Sequence, residues 1–519
     1  VKGAVAAGHP LTAKAGARVL EDGGNAVDAC VAAALVSWIA ESPLTGPGAG
    51  GFMLVHRARD GRDWLLDFFV ALPGQGLAPG GGAAMQAVDV PFGAGDTTQR
   101  FLIGAPSCAV PGTVAGLAEA HRFFGSLPWP ALVEPAIALA RSGVELTPAQ
   151  AFVHGLLDAV LRHESEGRRV YGETERLRAG ERVVMADLAG ILEVLAREGA
   201  PGFYQGELGR RISSACREAG GRITERDLAA YRVVRRRPVR AVFRGHELVS
   251  NPPPSSGGVL IAFALRLLDR LGRGGPPGSA EAIRRLAEVA REAARARRGT
   301  FVSELFRGGL ARRLLADELV FAVAEEVLAR AVGTPVLEPV GLPSTTHISV
   351  VDERGNAASL SASTGCGSGF VVPGTGIHLN NMLGEADLNP PGAPKAPGSR
   401  LTSMMAPSIL LRAGRPRVIL GSAGSERLRG AIVETVVNVV DHGMDLREAI
   451  ERPRVHLDGA DLHLEGGIDD AEAERLTALG YPVVRWPGRE RNLFFGGVSA
   501  VAVGPEGQLE AAGDLRRGG

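Results

Sequence analysis

The sequence predicts a mixed α/β (α+β) protein in which helices cover both faces of a β core. Three observations carry that expectation. Short apolar runs rich in β-branched residues alternate along the whole chain with longer stretches of helical apolar spacing. The 519 residues are 45% hydrophobic and 22% charged, a globular composition long enough for a large core and, by length alone, for two to four domains. No internal repeat and no long low-complexity segment interrupts this pattern, and the 71 glycines and 33 prolines show no collagen period.

Taken in order, residues 4–8 are small and apolar. His9-Pro10-Leu11-Thr12 then offers an N-cap for an amphipathic helix over 12–21, closed by Gly23-Gly24. Residues 25–40 read as a very apolar helix whose alanines permit tight packing. The run Gly46-Pro47-Gly48-Ala49-Gly50-Gly51 matches GxGxxG, with Asp67 downstream, but a strand over 52–56 follows it where a dinucleotide site needs a helix. A close approach of two backbones is the simpler expectation. A strand over 64–69 precedes a Gly/Pro-rich loop over 71–98, and helices are expected over 111–124, 132–141, 147–164, 185–198 and 207–219. Residues 233–249 read as two strands feeding, through Pro252-Pro253-Pro254, a helix over 259–271. A Gly/Pro linker at 273–278 leads to a charged helix over 280–298, whose arginines are expected to form a solvated face. The stretch 299–343 carries the weakest pattern. Beyond it, strands are expected at 377–379, 408–411, 418–420 and 498–503, and a helix at 431–442.

Charge and cysteine content exclude several function classes. The 57 basic and 57 acidic residues balance, which argues against a nucleic-acid surface. Cys30, Cys108, Cys216 and Cys366 are far apart and form no CxxC pair, so neither a metal site nor a disulfide framework is expected, and the usage fits a reducing compartment. The sequence contains no apolar run of about 18 residues to cross a membrane. It opens on no signal-peptide pattern, so a soluble, cytoplasmic protein is expected, with secretion left open should the N-terminus have been trimmed.

The stretch Pro343-Ser344-Thr345-Thr346-His347 organises the rest. Ile348-Ser349-Val350 alternates apolar and polar residues and Val351 adds a third β-branched side chain, as in a mostly buried strand. Glu353-Arg354-Gly355-Asn356 then turns into a second strand ending in Ser361-Ala362-Ser363. As architecture this is an ordinary hairpin. If the bond before Thr345 is cut, however, one residue carries both a hydroxyl nucleophile and a free α-amine base.

The ordered motifs resemble the γ-glutamyltranspeptidase family of N-terminal-nucleophile hydrolases, almost end to end. They are His9-Pro10, Gly23-Gly24-Asn25-Ala26-Val27-Asp28-Ala29, Gly50-Gly51-Phe52, Val110-Pro111-Gly112-Thr113, and Pro252-Pro253-Pro254-Ser255-Ser256-Gly257-Gly258. Thr345-Thr346-His347 with Asp352, Pro373-Gly374-Thr375-Gly376, Leu379-Asn380-Asn381, Ser403-Met404, Gly421-Ser422 and Gly513-Asp514 complete the set. The resemblance implies a four-layer αββα sandwich made as a precursor that cuts itself between Ser344 and Thr345. A large subunit, 1–344, and a small one, 345–519, would together form one unit. The freed amine, with a reference pKa of about 7.7–8, would serve as base for its own hydroxyl. Ser363 matches the family's second hydroxyl near the nucleophile. Gly424-Ser425 falls where the family places the backbone N–H donors of its oxyanion hole, each worth roughly 3 kcal/mol in the transition state. Read alone, Thr345 would be a strand residue, and Ser363 and Ser425 fit equally as small residues in tight turns. No cofactor and no metal are implied. The implied partners are a small-molecule substrate and the two subunits, with oligomerisation of the processed heterodimer left open and neither nucleic acid nor membrane expected.

The specificity residues depart from the family. An arginine that clamps the substrate α-carboxylate is replaced by Phe69, which removes a charge-assisted contact worth about 1.5–3 kcal/mol per hydrogen bond. On the α-amine side a family asparagine falls near Thr364 and a glutamine becomes Met382. Glu385 stands for the acidic partner, Thr402 and Ser403 keep the hydroxyl pair, and the segment between 385 and 402 is too short for a lid loop. These departures imply a self-processing threonine hydrolase or acyltransferase that cleaves an amide or related acyl bond of a compound other than a standard γ-glutamyl one. The competing readings are a hydrolase of a carbon–carbon bond next to a ketone in an antibiotic pathway, an ordinary γ-glutamyl hydrolase or transpeptidase, and an unprocessed binding protein. A dinucleotide enzyme stands furthest away.

Overall fold

Two six-stranded antiparallel sheets lie face to face with helices on both outer surfaces, the αββα arrangement. The computed structural model describes residues 2–91, 98–330, 332–336, 345–488 and 491–518. Numbering the sheet strands in chain order, the first sheet contains β1 (Gly3–Ala7), β2 (Gly50–Arg57), β3 (Arg62–Phe68), β4 (Val234–Arg236), β7 (Thr346–Asp352) and β8 (Ala357–Ser363). Their spatial order is β1-β7-β8-β2-β3-β4. The second sheet contains β5 (Val239–Phe243), β6 (His246–Ser250), β9 (Ser408–Arg412), β10 (Arg415–Ala423), β11 (Gly497–Val503) and β12 (Leu509–Ala512), in the order β12-β11-β10-β9-β6-β5. The hairpin of β7 and β8 is thus inserted between strands that come from the first tenth of the chain.

On the outer face of the first sheet, α1 (Pro10–Glu21), α2 (Ala26–Ala40) and α3 (Thr113–Phe124) form the helical layer. All fifteen residues of α2 are buried, as its continuous apolar sequence requires of a helix with no wet face. Asn25 and Asp28 close its N-terminus with a capping box. Ile348 and Val350 of β7 and Leu360 of β8 pack into this layer with Leu35 and Ile39. Between the sheets, Phe52 and Leu54 join Ile409, Ile419 and Val501, and the same core runs on to α4 (Gly257–Leu271) and α5 (Arg427–Val440) on the far side. Each fully buried side chain of this kind contributes about 1.5–3 kcal/mol.

Several elements differ from the sequence expectation for identifiable reasons. The first helix begins at Pro10 with the His9 ring as cap, accepting from the Leu11 N–H at 3.1 Å; Thr12 lies inside it and gives its hydroxyl to Glu41. The supposed loop over 71–98 contains a strand, Gln86–Pro91, paired with Thr98–Ile103. The helix expected over 147–164 is two short ones, Pro148–Leu156 and Asp158–Leu161, with a further helix, Ser165–Tyr171, just beyond it. In the weakly patterned stretch the described residues form Phe301–Arg307, Leu310–Leu314 and Asp317–Ala329, the first two separated by Gly308 and Gly309 at φ of 93° and 103°. The charged helix, Ala280–Arg295, does not present only a solvated face: Arg291 and Glu288 are both buried and paired at 3.1 Å. The glycine run is a close backbone approach, since a Cβ on Gly48 would meet the His378 carbonyl at 2.3 Å and one on Gly51 the Ser361 carbonyl at 2.4 Å.

Candidate active site

Thr345 stands immediately before β7 and is 7% exposed. Thr346 pairs with Ala362 and His347 with Ser361, so the ladder continued one step brings Thr345 opposite Ser363, the last residue of β8. Strand alternation then puts Thr345, His347 and Ser349 on one face with Ser363, Ser361 and Ser359. That face looks toward the second sheet rather than toward water. The His347 ring bridges Ser361 Oγ at 2.8 Å and Ser349 Oγ at 3.0 Å, Ser349 donates to the Ser499 carbonyl, and Ser359 donates to the Leu420 carbonyl. Burial pushes the His347 pKa down to about 3, so the ring is neutral and serves these hydroxyls as donor and acceptor.

On the other face the Thr346 hydroxyl donates to Glu41, whose second carboxyl oxygen accepts from Thr12 Oγ1 at 2.7 Å. Burial raises the Glu41 pKa, opposed by these two hydrogen bonds. The start of β7 is therefore tied to the C-terminal end of α2 and to α1.

Thr345, Ser363 and Ser425 line one cavity together with Phe69, Met382, Glu385 and Ser403. Gly424 and Ser425 form the turn from β10 into α5, with φ of 140° and 51°. Their carbonyls accept from the N–H groups of Arg427 and Leu428. Among the described residues no acceptor engages the N–H of Gly424 or Ser425, and Ser425 shares its cavity with Thr345. Ser363 Oγ accepts from the Gly365 N–H at 2.9 Å, which fixes the hydroxyl at the rim.

Phe69 follows β3 and is held rigidly: its ring stacks on Phe52 at 5.4 Å, its N–H donates to Asp67, and its carbonyl accepts from Tyr231 Oη at 2.7 Å. Asp67 is paired in turn with Arg236 and Arg400. Met404, Met405, Leu388 and Leu428 extend the apolar lining, and no lysine or arginine is among the described residues that line it. At one end stand Glu385 and Asp387. Burial, reinforced by the Asp387 charge and opposed by the Cys366 N–H, pushes Glu385 up to about 8; burial raises Asp387 as well.

Two expected substrate residues are not on this cavity. The Thr402 hydroxyl donates to the Pro254 carbonyl at 2.6 Å, and Thr364 uses its backbone to join Leu44, Gly367 and Asn381. Ser344 of the expected scissile bond lies outside the described residues. Sequence reasoning missed Asp387, Met405, Leu388, Leu428 and Glu41. Only Met405 adjoined a recognised motif; the others are brought in by tertiary contact. A second cavity that also touches Thr345 contains Glu41, His154 and Arg517, and Arg517 Nη1 donates to the Thr345 carbonyl at 3.5 Å. Among the described residues no cluster of metal-ligating side chains occurs, no helix is long and apolar enough to cross a membrane, and the four cysteines are free and buried.

A threonine at the head of an inner strand of an αββα sandwich is the arrangement of an N-terminal-nucleophile-type hydrolase or transferase. The family model for gamma-glutamyltranspeptidase matches residues 12–519. The chain belongs to that family. It is 35% identical to the "Acylase ACY 1 proenzyme" of Pseudomonas sp. (strain SE83), over 100% of this chain and 93% of that protein. It is 30% identical to the "Glutathione hydrolase proenzyme" of Escherichia coli (strain K12), over 99% of this chain and 90% of that one. Among solved structures, a cephalosporin acylase from Bacillus halodurans superposes with a TM-score of 0.85 at 25% identity, covering 99% of this chain and 94% of that one.

Proposed function

We propose that the protein cuts itself between Ser344 and Thr345 and then acts as a threonine acylase on an amide whose acyl part is not γ-glutamyl. The observation that carries the substrate half is the cavity beside Thr345, which offers Phe69 and methionines but, among the described residues that line it, no cation to hold a free α-carboxylate. The names of the relatives, acylase and glutathione hydrolase proenzymes, support the processing half and the acyl chemistry. In the reaction the Thr345 α-amine accepts the hydroxyl proton as Oγ attacks the substrate carbonyl. The oxyanion is met by the Gly424 and Ser425 N–H groups, and the amine returns the proton to the departing nitrogen. Water then attacks the acyl ester by the same route and frees Thr345.

Denaturing electrophoresis tests the cut: two fragments divided at residue 345 are expected, and one persistent full-length band would refute it. A panel of acyl amides, read by mass spectrometry beside a γ-glutamyl anilide, tests the substrate. Turnover of neutral acyl amides that Thr345→Ala abolishes is expected, the variant remaining a single chain. The Glu385–Asp387 pair favours one second reading, an acyl group bearing an ammonium as γ-glutamyl compounds do. Efficient turnover of the anilide would select it. Cleavage next to a ketone uses the same nucleophile and is told apart by a carbon leaving group.

A further inference from the structure

We propose that Arg517 is a positioning residue that sets the basicity of the Thr345 α-amine, keeping that amine in its neutral, proton-accepting form near neutral pH. The proposal rests on the reading that the bond before Thr345 is cut. Arg517 Nη1 lies 3.5 Å from the Thr345 carbonyl oxygen. Within one residue the backbone nitrogen and oxygen are at most about 3.6 Å apart, so the guanidinium stands within about 7 Å of the amine nitrogen. Both residues line the second cavity, and Arg517 is half-buried.

A nearby cation disfavours a second positive charge, so it lowers the pKa of an amine. Among the described residues, other titratable groups also face this point. From the helix Pro148–Leu156 comes His154 and from β7 comes His347, both kept neutral by burial, at about 4 and about 3. From the end of α2 comes Glu41, whose pKa burial raises against the hydrogen bonds from Thr346 and Thr12 and the charge of Arg517. Asp514 is engaged by Arg454 at 2.6 Å and Arg516 at 3.0 Å. In the acyl pocket, Glu385 and Asp387 are raised by burial. Arg517 itself, lowered by burial to about 10, remains charged at neutral pH.

The test is a titration of the amine itself, independent of any substrate. The processed protein is exposed to trace acetic anhydride across a pH series, and acetylation of the small subunit's N-terminal peptide is read by mass spectrometry. In the wild type the amine is expected to titrate below the reference of about 7.7–8. Arg517→Gln is expected to raise it by about one unit, and Arg517→Lys to keep it near the wild type, because the charge is what matters. A wild-type amine at or above the reference overturns the proposal even if the glutamine variant does not fold. So does a folded, processed glutamine variant that titrates like the wild type, or a lysine variant shifted as far as the glutamine one. A chain that stays whole overturns both this proposal and the function above, whereas a free but unshifted amine overturns only this one.

Discussion

Glu385 is a buried acid beside Asp387 at the end of the pocket that Thr345 lines. With its carboxyl pushed up to about 8, it is largely uncharged at neutral pH and ionises in alkaline solution. Turnover of a neutral acyl amide is therefore expected to fall as pH rises through about 8, and Glu385→Gln, which cannot ionise, is expected to lose that alkaline limb in kcat/KM. A limb that survives the substitution would assign the titration elsewhere. Thr345, Ser363, Ser425, Phe69 and Glu385 could be picked out of the sequence because each stands inside or beside a short motif. Glu41 could not: it is separated from Thr346 by 305 positions and reaches it only through the packing of α2 on the first sheet. Thr364 and Thr402 show the converse: both lie near a motif in sequence, yet neither lines the cavity beside Thr345, and the Thr402 hydroxyl is spent on the Pro254 carbonyl.

At the scale of elements, the Glu41 clamp joins α1, α2 and β7. Replacing it with alanine strands the hydroxyls of Thr12 and Thr346 in a buried place. Unmade hydrogen bonds cost about 1–3 kcal/mol each, so Glu41→Ala is expected to destabilise by about 2–4 kcal/mol in urea unfolding and to slow the cut before Thr345. A variant as stable as the wild type would show that the clamp carries no load. The close pairing of β2 with β8 is tested by Gly51→Ala, whose methyl would stand 2.4 Å from the backbone carbonyl of Ser361. A loss of at least about 1–3 kcal/mol is expected, the range for overpacked cores. Strand alternation and helical apolar spacing made most of these elements legible. The polar stripe of β7 and β8 was legible only as alternation: nothing local says that both faces of a strand are covered, and in a two-sheet sandwich they are. The helix over 147–164 was misread because its apolar spacing survives the turns that break it.

For the molecule as a whole, the two stretches on either side of Thr345 share both sheets, so a cut there leaves no separable halves. The processed fragments are expected to co-elute as one species in native size exclusion and to part only in denaturant. The pH dependence of stability has a second buried carboxyl to report it. Glu434 on α5 is 8% exposed and is raised by burial from 4.5 to about 8, against the pull of Arg454 and Arg516. The folded state then holds a proton that the unfolded chain has released, so stability declines as pH rises from about 4.5 to about 8, at up to about 1.4 kcal/mol per unit. Raising the pH from about 6 to about 8 should lower the melting temperature of the wild type more than that of Glu434→Gln. Parallel curves would remove Glu434 from the account.

The insertion of β7 and β8 between β1 and β2 also gives the protein a history. A single chain can thread that hairpin into its slot because the two parts are tethered while they fold. Once the tether is cut, the same slot must be found by collision between two separate polypeptides, and recovery becomes second order in concentration. The mature protein would then be a product that its own pieces no longer encode a rapid route back to, and each molecule inactivated by heat in dilute solution would be lost rather than reset.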